Sequence, residues 1–203
     1  MERLLIWQGL EEWRAEAARV ELDDGGVRAT GTQIGADPLP YRLDYELDAA
    51  EGFVTRSLRV DAVGERWTRS LSLERDPGGE WTAEVGGDGA PELPAPGGDT
   101  AGLGEALDCD LGQSPLTNLM PVRRHALHHN PDQRDFVMAW VSVPDLSVRA
   151  SHQRYEHLRR DGDGAVVRYS SVEDGHVTFT ADLELDADGL VRVYPQLGRR
   201  VGA

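Results

Sequence analysis

The sequence predicts an all-β protein built from antiparallel strands. Three observations carry that expectation. Apolar and polar residues alternate with a period of two, as where Tyr41, Leu43, Tyr45 and Leu47 share one face of a strand. Turn-forming runs such as Asp24-Gly25-Gly26 and Asp76-Pro77-Gly78-Gly79 close these segments at short intervals. Helical periodicity is scarce, so roughly ten or more strands and little helix are expected.

Along the chain, Trp7 to about Trp13 reads as a strand entering a turn, with a short helix as the alternative. Arg19 to Asp23 alternates, turns at Asp24-Gly25-Gly26 and returns as Val27 to Ile34, weakened by its internal glycine. Tyr41 to Leu47 follows. Phe53 to Asp61 is next and would place Arg56 on a face with Leu58 and Val60, where an arginine needs a partner or a wet cavity. Trp67 to Leu73 and Trp81 to Val85 continue the meander. Residues 86–104 are dominated by glycine and proline and read as a mobile, exposed loop without functional meaning. Residues 111–127 break the alternation. Pro115 and Pro121 block a long helix there, Ser114 or Thr117 would cap a short helical turn, and Arg123 to Leu127 would form a strand. Phe136 to Val143 reads as a central strand, followed by Leu146 to Tyr155, Ala165 to Ser170 and Val177 to Asp186. A hairpin then turns at Ala187-Asp188-Gly189 into Leu190 to Tyr194. Residues 54–61 echo residues 178–186, which fits either an internal duplication or generic strand composition.

The 203 residues suit one β-rich domain, 1–203, with a sizeable core. No stretch approaches the roughly 18 apolar residues of a transmembrane helix. The acidic start MERLLIWQGLEEW lacks the pattern of a signal peptide, and Cys109 stands alone, so a reducing, cytoplasmic setting is expected. A formal net charge of −15 argues against nucleic acid as a partner. Residues 121–160 run against that balance, with seven arginines, four acids and five of the six histidines. They could face an anionic group, or form a solvated and internally neutralised surface. Every one of the 21 basic residues is arginine, a compositional trait rather than a chemical one.

Candidate chemistry is sparse. Cys109, His125, His128 and His129 mix soft and imidazole ligands but lack the spacing of a zinc site, so a core cysteine and solvent-facing histidines are the preferred reading and no metal is expected. Gly112-Gln113-Ser114-Pro115-Leu116 lacks the last glycine of a nucleophile elbow, and a triad of Ser114, Asp110 and a histidine would need geometry that sequence cannot supply. Asp108 and Asp110 share a strand face, where they would run acid–base chemistry on a sugar or, as preferred, anchor Arg123 and Arg124. No phosphate-binding glycine loop is present, and no cofactor is implied.

The run from Asp108 through Arg124, DCDLGQSPLTNLMPVRR, resembles the signature of the putative glycolipid-binding family of bacterial proteins. Tyr45-Glu46-Leu47, Thr55-Arg56, Ala139-Trp140, Gln153-Arg154-Tyr155 and Val191 through Pro195 also resemble its pattern, over roughly residues 7–198. The sequence departs from the family pattern at Thr82-Ala83 after Trp81, and at Gln196-Leu197-Gly198 after Tyr194-Pro195. The resemblance implies a spiral β-roll, a large curved antiparallel sheet with a concave side, and non-catalytic binding of a lipid or glycolipid-like amphiphile on that side. Arg56, Arg123, Arg124 and Arg154 at the rim would suit an anionic head group, with Asp110 as orienter and Tyr155 beside them. A scaffold role without a small ligand, or a hydrolase acting on a sugar or lipid, are the alternatives. Within the signature, Asp108, Asp110, Ser114, Asn118, Arg123 and Arg124 are expected to tie down the irregular path set by Pro115 and Pro121.

Overall fold

Alternation becomes strand almost wherever it runs. A computed structural model describes residues 1–89 and 92–202. The first half is an antiparallel meander of seven strands: β1 (Glu2–Gly9), β2 (Arg14–Leu22), β3 (Val27–Gly35), β4 (Tyr41–Ala50), β5 (Val54–Gly64), β6 (Trp67–Arg75) and β7 (Trp81–Asp88). The second half holds β8 (Asp108–Leu111), a six-residue helix α1 (Leu119–Arg124), β9 (Gln133–Val141), β10 (Val148–Asp161), β11 (Gly164–Glu173), β12 (His176–Leu185), β13 (Val191–Tyr194) and β14 (Gly198–Arg200). β1 pairs with β14, so the ends of the chain join the two meanders into one 14-stranded sheet. Its order is β7-β6-β5-β4-β3-β2-β1-β14-β13-β12-β11-β10-β9-β8. Only β8 joins its neighbour in parallel.

The all-β, antiparallel expectation holds, but the spiral β-roll does not. The ladder is open, with β7 at one edge and β8 at the other, and is neither closed nor strongly curled. The face expected to be concave is occupied. Leu103, Ala106, Leu111, Leu116, Leu119 and Met120 are fully buried there and join one core with Leu43, Leu58, Leu71 and Leu73 of the first meander. A second core gathers Val122 and Leu127 against Met138, Tyr155, Val167, Leu183 and Val191. At about 25 cal/mol per Å² of apolar surface, filling that face is worth more than leaving it open to water.

Local departures have local causes. The first strand begins at Glu2, not Trp7, and residues 10–13 are the turn into β2, which starts at Arg14. Residues 123–127 do not form a strand, because α1 runs through Pro121 and a turn follows it, with the Leu127 amide donating to the Val122 carbonyl. Pro121 is tolerated because it lies in the first turn, whose amides need no partner within the helix. Phe136 to Val143 is second from the sheet edge. A register shift opposite Asp48/Ala49 puts Thr55, not Arg56, in phase with buried Leu58, so Arg56 points to solvent. The loop expected at 86–104 is more anchored than its composition suggests. Residues 86–88 belong to β7, Gly97 bridges to Ser147, Thr100–Leu103 is a 3-10 helix capped by Asp99, and Leu103 is fully buried. Ala90 and Pro91, within the same expectation, lie outside the described residues.

Candidate functional site

The signature segment builds the site. β8 lies along β9, and the Gly112 amide extends the contact by donating to the Val141 carbonyl at 2.8 Å. The chain then turns at Gln113, whose φ of 64° is left-handed for a residue with a side chain. The Ser114 hydroxyl accepts from the Leu116 amide at 3.2 Å, just ahead of a short helical turn, Leu116–Asn118, whose cap position is Pro115 and not Ser114 or Thr117 as expected.

Behind Gln113 opens a cleft of about 270 Å³ lined by Trp140, Tyr169, Tyr194, Asp110, Ser114, Asn118 and neighbours. The sheet supplies its aromatic wall. Tyr155 and Tyr169 are direct cross-strand partners, and Tyr169 also meets Tyr194 at 6.0 Å between ring centres. The Arg149 guanidinium lies 4.5 Å from the centre of the Trp140 ring, its cross-strand partner. The polar floor is a chain of hydrogen bonds. Gln153 Nε2 donates to Asp110 Oδ2 at 2.7 Å, and Thr117 Oγ1 donates to Asp110 Oδ1 at 2.8 Å. The Tyr155 hydroxyl donates to Asn118 Oδ1 at 2.9 Å. Asp110 therefore has no arginine partner, and burial pushes its carboxyl above the usual range.

A narrow slot adjoins this cleft, sharing Gln113 and Leu197 with it. It has room for about one water-sized group, about 10 Å³, between Trp7, Tyr41, Glu16 and Gln33. Glu16 and Gln33 are cross-strand partners on the inner face of β2 and β3. Glu16 Oε1 accepts from the Tyr45 hydroxyl at 2.6 Å and from the Ser114 hydroxyl at 2.8 Å. Gly31 makes the first of these possible, since a Cβ there would lie 2.4 Å from the Tyr45 ring. Burial pushes the Glu16 carboxyl up to about 7, with Tyr45 and Ser114 pulling it down less strongly.

A third cleft of about 720 Å³ lies ahead of the start of β8, beside the first residues of β9, lined by Leu107, Asp108, Arg124, His125, Arg134, Phe136, His152, Arg154 and others. Its cations are largely committed. Arg124 grips Asp108 through both terminal nitrogens and donates to the Phe53 carbonyl, while Arg154 pairs with Asp135. Burial pushes the Asp108 carboxyl upward and Arg124 opposes it.

The expected ligand arginines therefore do not converge. Arg56 is exposed and its nearest acid is Glu51 at 3.7 Å. Arg123 turns to the Asp23 carbonyl and the Phe53 ring instead of Asp108 or Asp110. Arg124 and Arg154 share the larger cleft, each in an ion pair. Asp110, Ser114 and Asn118 do come together, with Tyr155 directly behind Asn118. Pro121 is buried in α1. Ser114 is bonded to Glu16 and the Leu116 amide, with no histidine among its partners, so the imagined triad does not form. Cys109 is buried in the core beside Thr55, as preferred. His128, expected in solvent, is buried with both ring nitrogens unpartnered. Among the described residues no cluster of histidine, cysteine and acids fits a metal ion, and no helix is long and apolar enough to cross a membrane.

The model of the family described as "Putative glycolipid-binding" matches residues 4–200. The chain belongs to that family. A crystal structure of a DUF1089-family protein from Pseudomonas aeruginosa is similar to this family member, with a TM-score of 0.71 and 25% identity over 96% of this chain and 95% of that one. No match is found among curated protein sequences. The signature residues 108–124 lie inside the matched range and line all three of these cavities, through Asp110, Gln113 and Asn118 in the first cleft, Gln113 and Pro115 in the slot, and Asp108 and Arg124 in the larger cleft. Sequence reasoning missed Glu16, Gln33, Gln113, Trp140 and Tyr169. Glu16 carried a readable signal, because it falls in the same parity as Ala18, Val20 and Leu22 on an otherwise apolar strand face.

Proposed function

We propose that this protein binds, without chemistry, the glycosyl head of a lipid-like amphiphile in the cleft behind Gln113. The observation that carries the reading is the pairing of an aromatic wall, Trp140, Tyr169 and Tyr194, with a floor of fixed polar groups, Asp110, Ser114 and Asn118. Ring faces pack against the C–H face of a pyranose, and carboxylate, amide and hydroxyl groups match its hydroxyls. The floor is held in place before any ligand arrives, because Gln153, Thr117 and Tyr155 fix the side chains that would make contact. An apolar tail has a surface beside the slot, where Ile34 lines the mouth and Leu10 and Trp13 are exposed in the adjoining turn. Membership of the glycolipid-binding family supports the same ligand class.

The test is native mass spectrometry of the protein purified from its own host. The wild type should retain a sugar-bearing lipid, and a Trp140→Ala/Tyr169→Ala variant that folds normally should lose it. Equal retention by the two proteins would refute the cleft as the binding place.

A further inference from the structure

The slot beside the cleft is lined by two residues whose buried acceptors have no partner among the described residues. Glu16 and Gln33 are 3% and 2% exposed, and Glu16 Oε2 and Gln33 Oε1 have no hydrogen-bond partner. Both residues line the slot, and they are neighbours across the β2–β3 ladder. Buried acceptors normally find donors, and each such exception calls for an explanation. Glu16 is also a buried carboxylate with two hydroxyl donors and no cation bonded to it. The nearby Arg14 is committed at the slot mouth, donating to the Leu197 and Gln196 carbonyls and pairing with Glu12 at 3.4 Å. The other ionisable groups around Glu16 are the phenols of Tyr45 and Tyr41 on β4, and burial pushes both above their usual range. Neither supplies positive charge. Trp7 and Tyr41 also line the slot.

We propose that this slot is a subsite for a protonated primary amine carried on the glycosyl head, held by Glu16 Oε2 and Gln33 Oε1 between Trp7 and Tyr41. The inference rests on the sugar reading of the adjoining cleft and deepens it by naming the head-group class. An ammonium supplies donors for both acceptors and the charge that Glu16 lacks, within a volume that admits one water-sized group. Aromatic faces favour a cation over a neutral hydroxyl at the same place. A neutral N-acetyl group is too large for the slot.

The experiment is an NMR titration of the wild-type protein with D-glucosamine, D-glucose and N-acetyl-D-glucosamine at neutral pH, with the Glu16 carboxyl followed by its carbon-13 shift. Charge-assisted hydrogen bonds are roughly twice as strong as neutral ones, so glucosamine should bind about tenfold more tightly than glucose. N-acetyl-D-glucosamine should bind more weakly than either. Glucosamine should lower the Glu16 titration midpoint, and glucose should not. In Glu16→Gln the preference for glucosamine should fall to near unity. The wild-type comparison stands by itself if that variant does not fold. Equal binding of glucosamine and glucose, with Glu16 undisturbed, would mean that the slot holds only a water and would overturn the subsite while leaving the cleft reading intact. Absence of binding by all three sugars would overturn both.

Discussion

The Asp108 side chain is 1% exposed, and Arg124 closes over it with both terminal nitrogens. Removing one member of such a pair strands a buried charge, which costs about 3–5 kcal/mol. Arg124→Ala should lose about that much stability in urea denaturation. Arg123→Ala, which gives up a carbonyl contact and a weak pairing with exposed Asp24, should lose less than about 1 kcal/mol. Equal midpoints for Arg124→Ala and the wild type would contradict the structural role of the pair. Glu16 poses the opposite case, a buried carboxyl without a cation. Its pKa is raised from 4.5 to about 7, so over that interval the folded chain holds a proton that the unfolded chain has released. The stability it contributes is therefore present below the unfolded value and is lost as pH rises through about 7. His128 acts in the other direction. Burial lowers its pKa from 6.5 to about 4, so its contribution is present above 6.5 and lost as pH falls through about 4. The two overlap in the wild-type curve, and Glu16→Gln separates them. Between about pH 4 and pH 8 the variant should gain about 3 kcal/mol relative to the wild type. A difference that does not change with pH would show that Glu16 is not a buried, uncompensated acid.

At the scale of elements, the segment between β7 and β9 does the work that the curved sheet was expected to do. Thr100–Leu103 drops Leu103 into the main core, and β8 brings Cys109 against Thr55 of β5. Leu103→Ala should cost about 2–5 kcal/mol, as other fully buried leucines do. A loss below about 0.5 kcal/mol would mean the segment is a dispensable surface loop, as its glycine and proline content suggests. Strands were readable from sequence because alternation is local. Among the exceptions were β5, where a register shift moves Arg56 out of the parity its number implies, residues 123–127, where α1 and a turn replace a strand, and the short terminal strand β14. Neither a bulge nor a helix carrying an internal proline leaves a local signature that outweighs the pattern around it.

For the whole molecule, the two meanders are joined by the pairing of β1 with β14, and the signature segment lies against the inner face. That contact brings Glu16 of β2 to Ser114, 98 positions away in sequence. Only the fold brings such residues together, which is why Asp110, Ser114 and Asn118 were legible as a motif while Glu16, Trp140 and Tyr169 were not legible as their neighbours. Sequence also does not show that Arg124 and Arg154 are paired with Asp108 and Asp135, because those partners are set by the fold. The most direct measurement is an NMR chemical-shift map of the protein with octyl β-D-glucoside below its critical micelle concentration. The account predicts perturbations concentrated at Gln113, Trp140, Tyr169 and Tyr194. Perturbations confined to His125, Arg134 and His152 in the larger cleft, or none at any concentration below that limit, would contradict it.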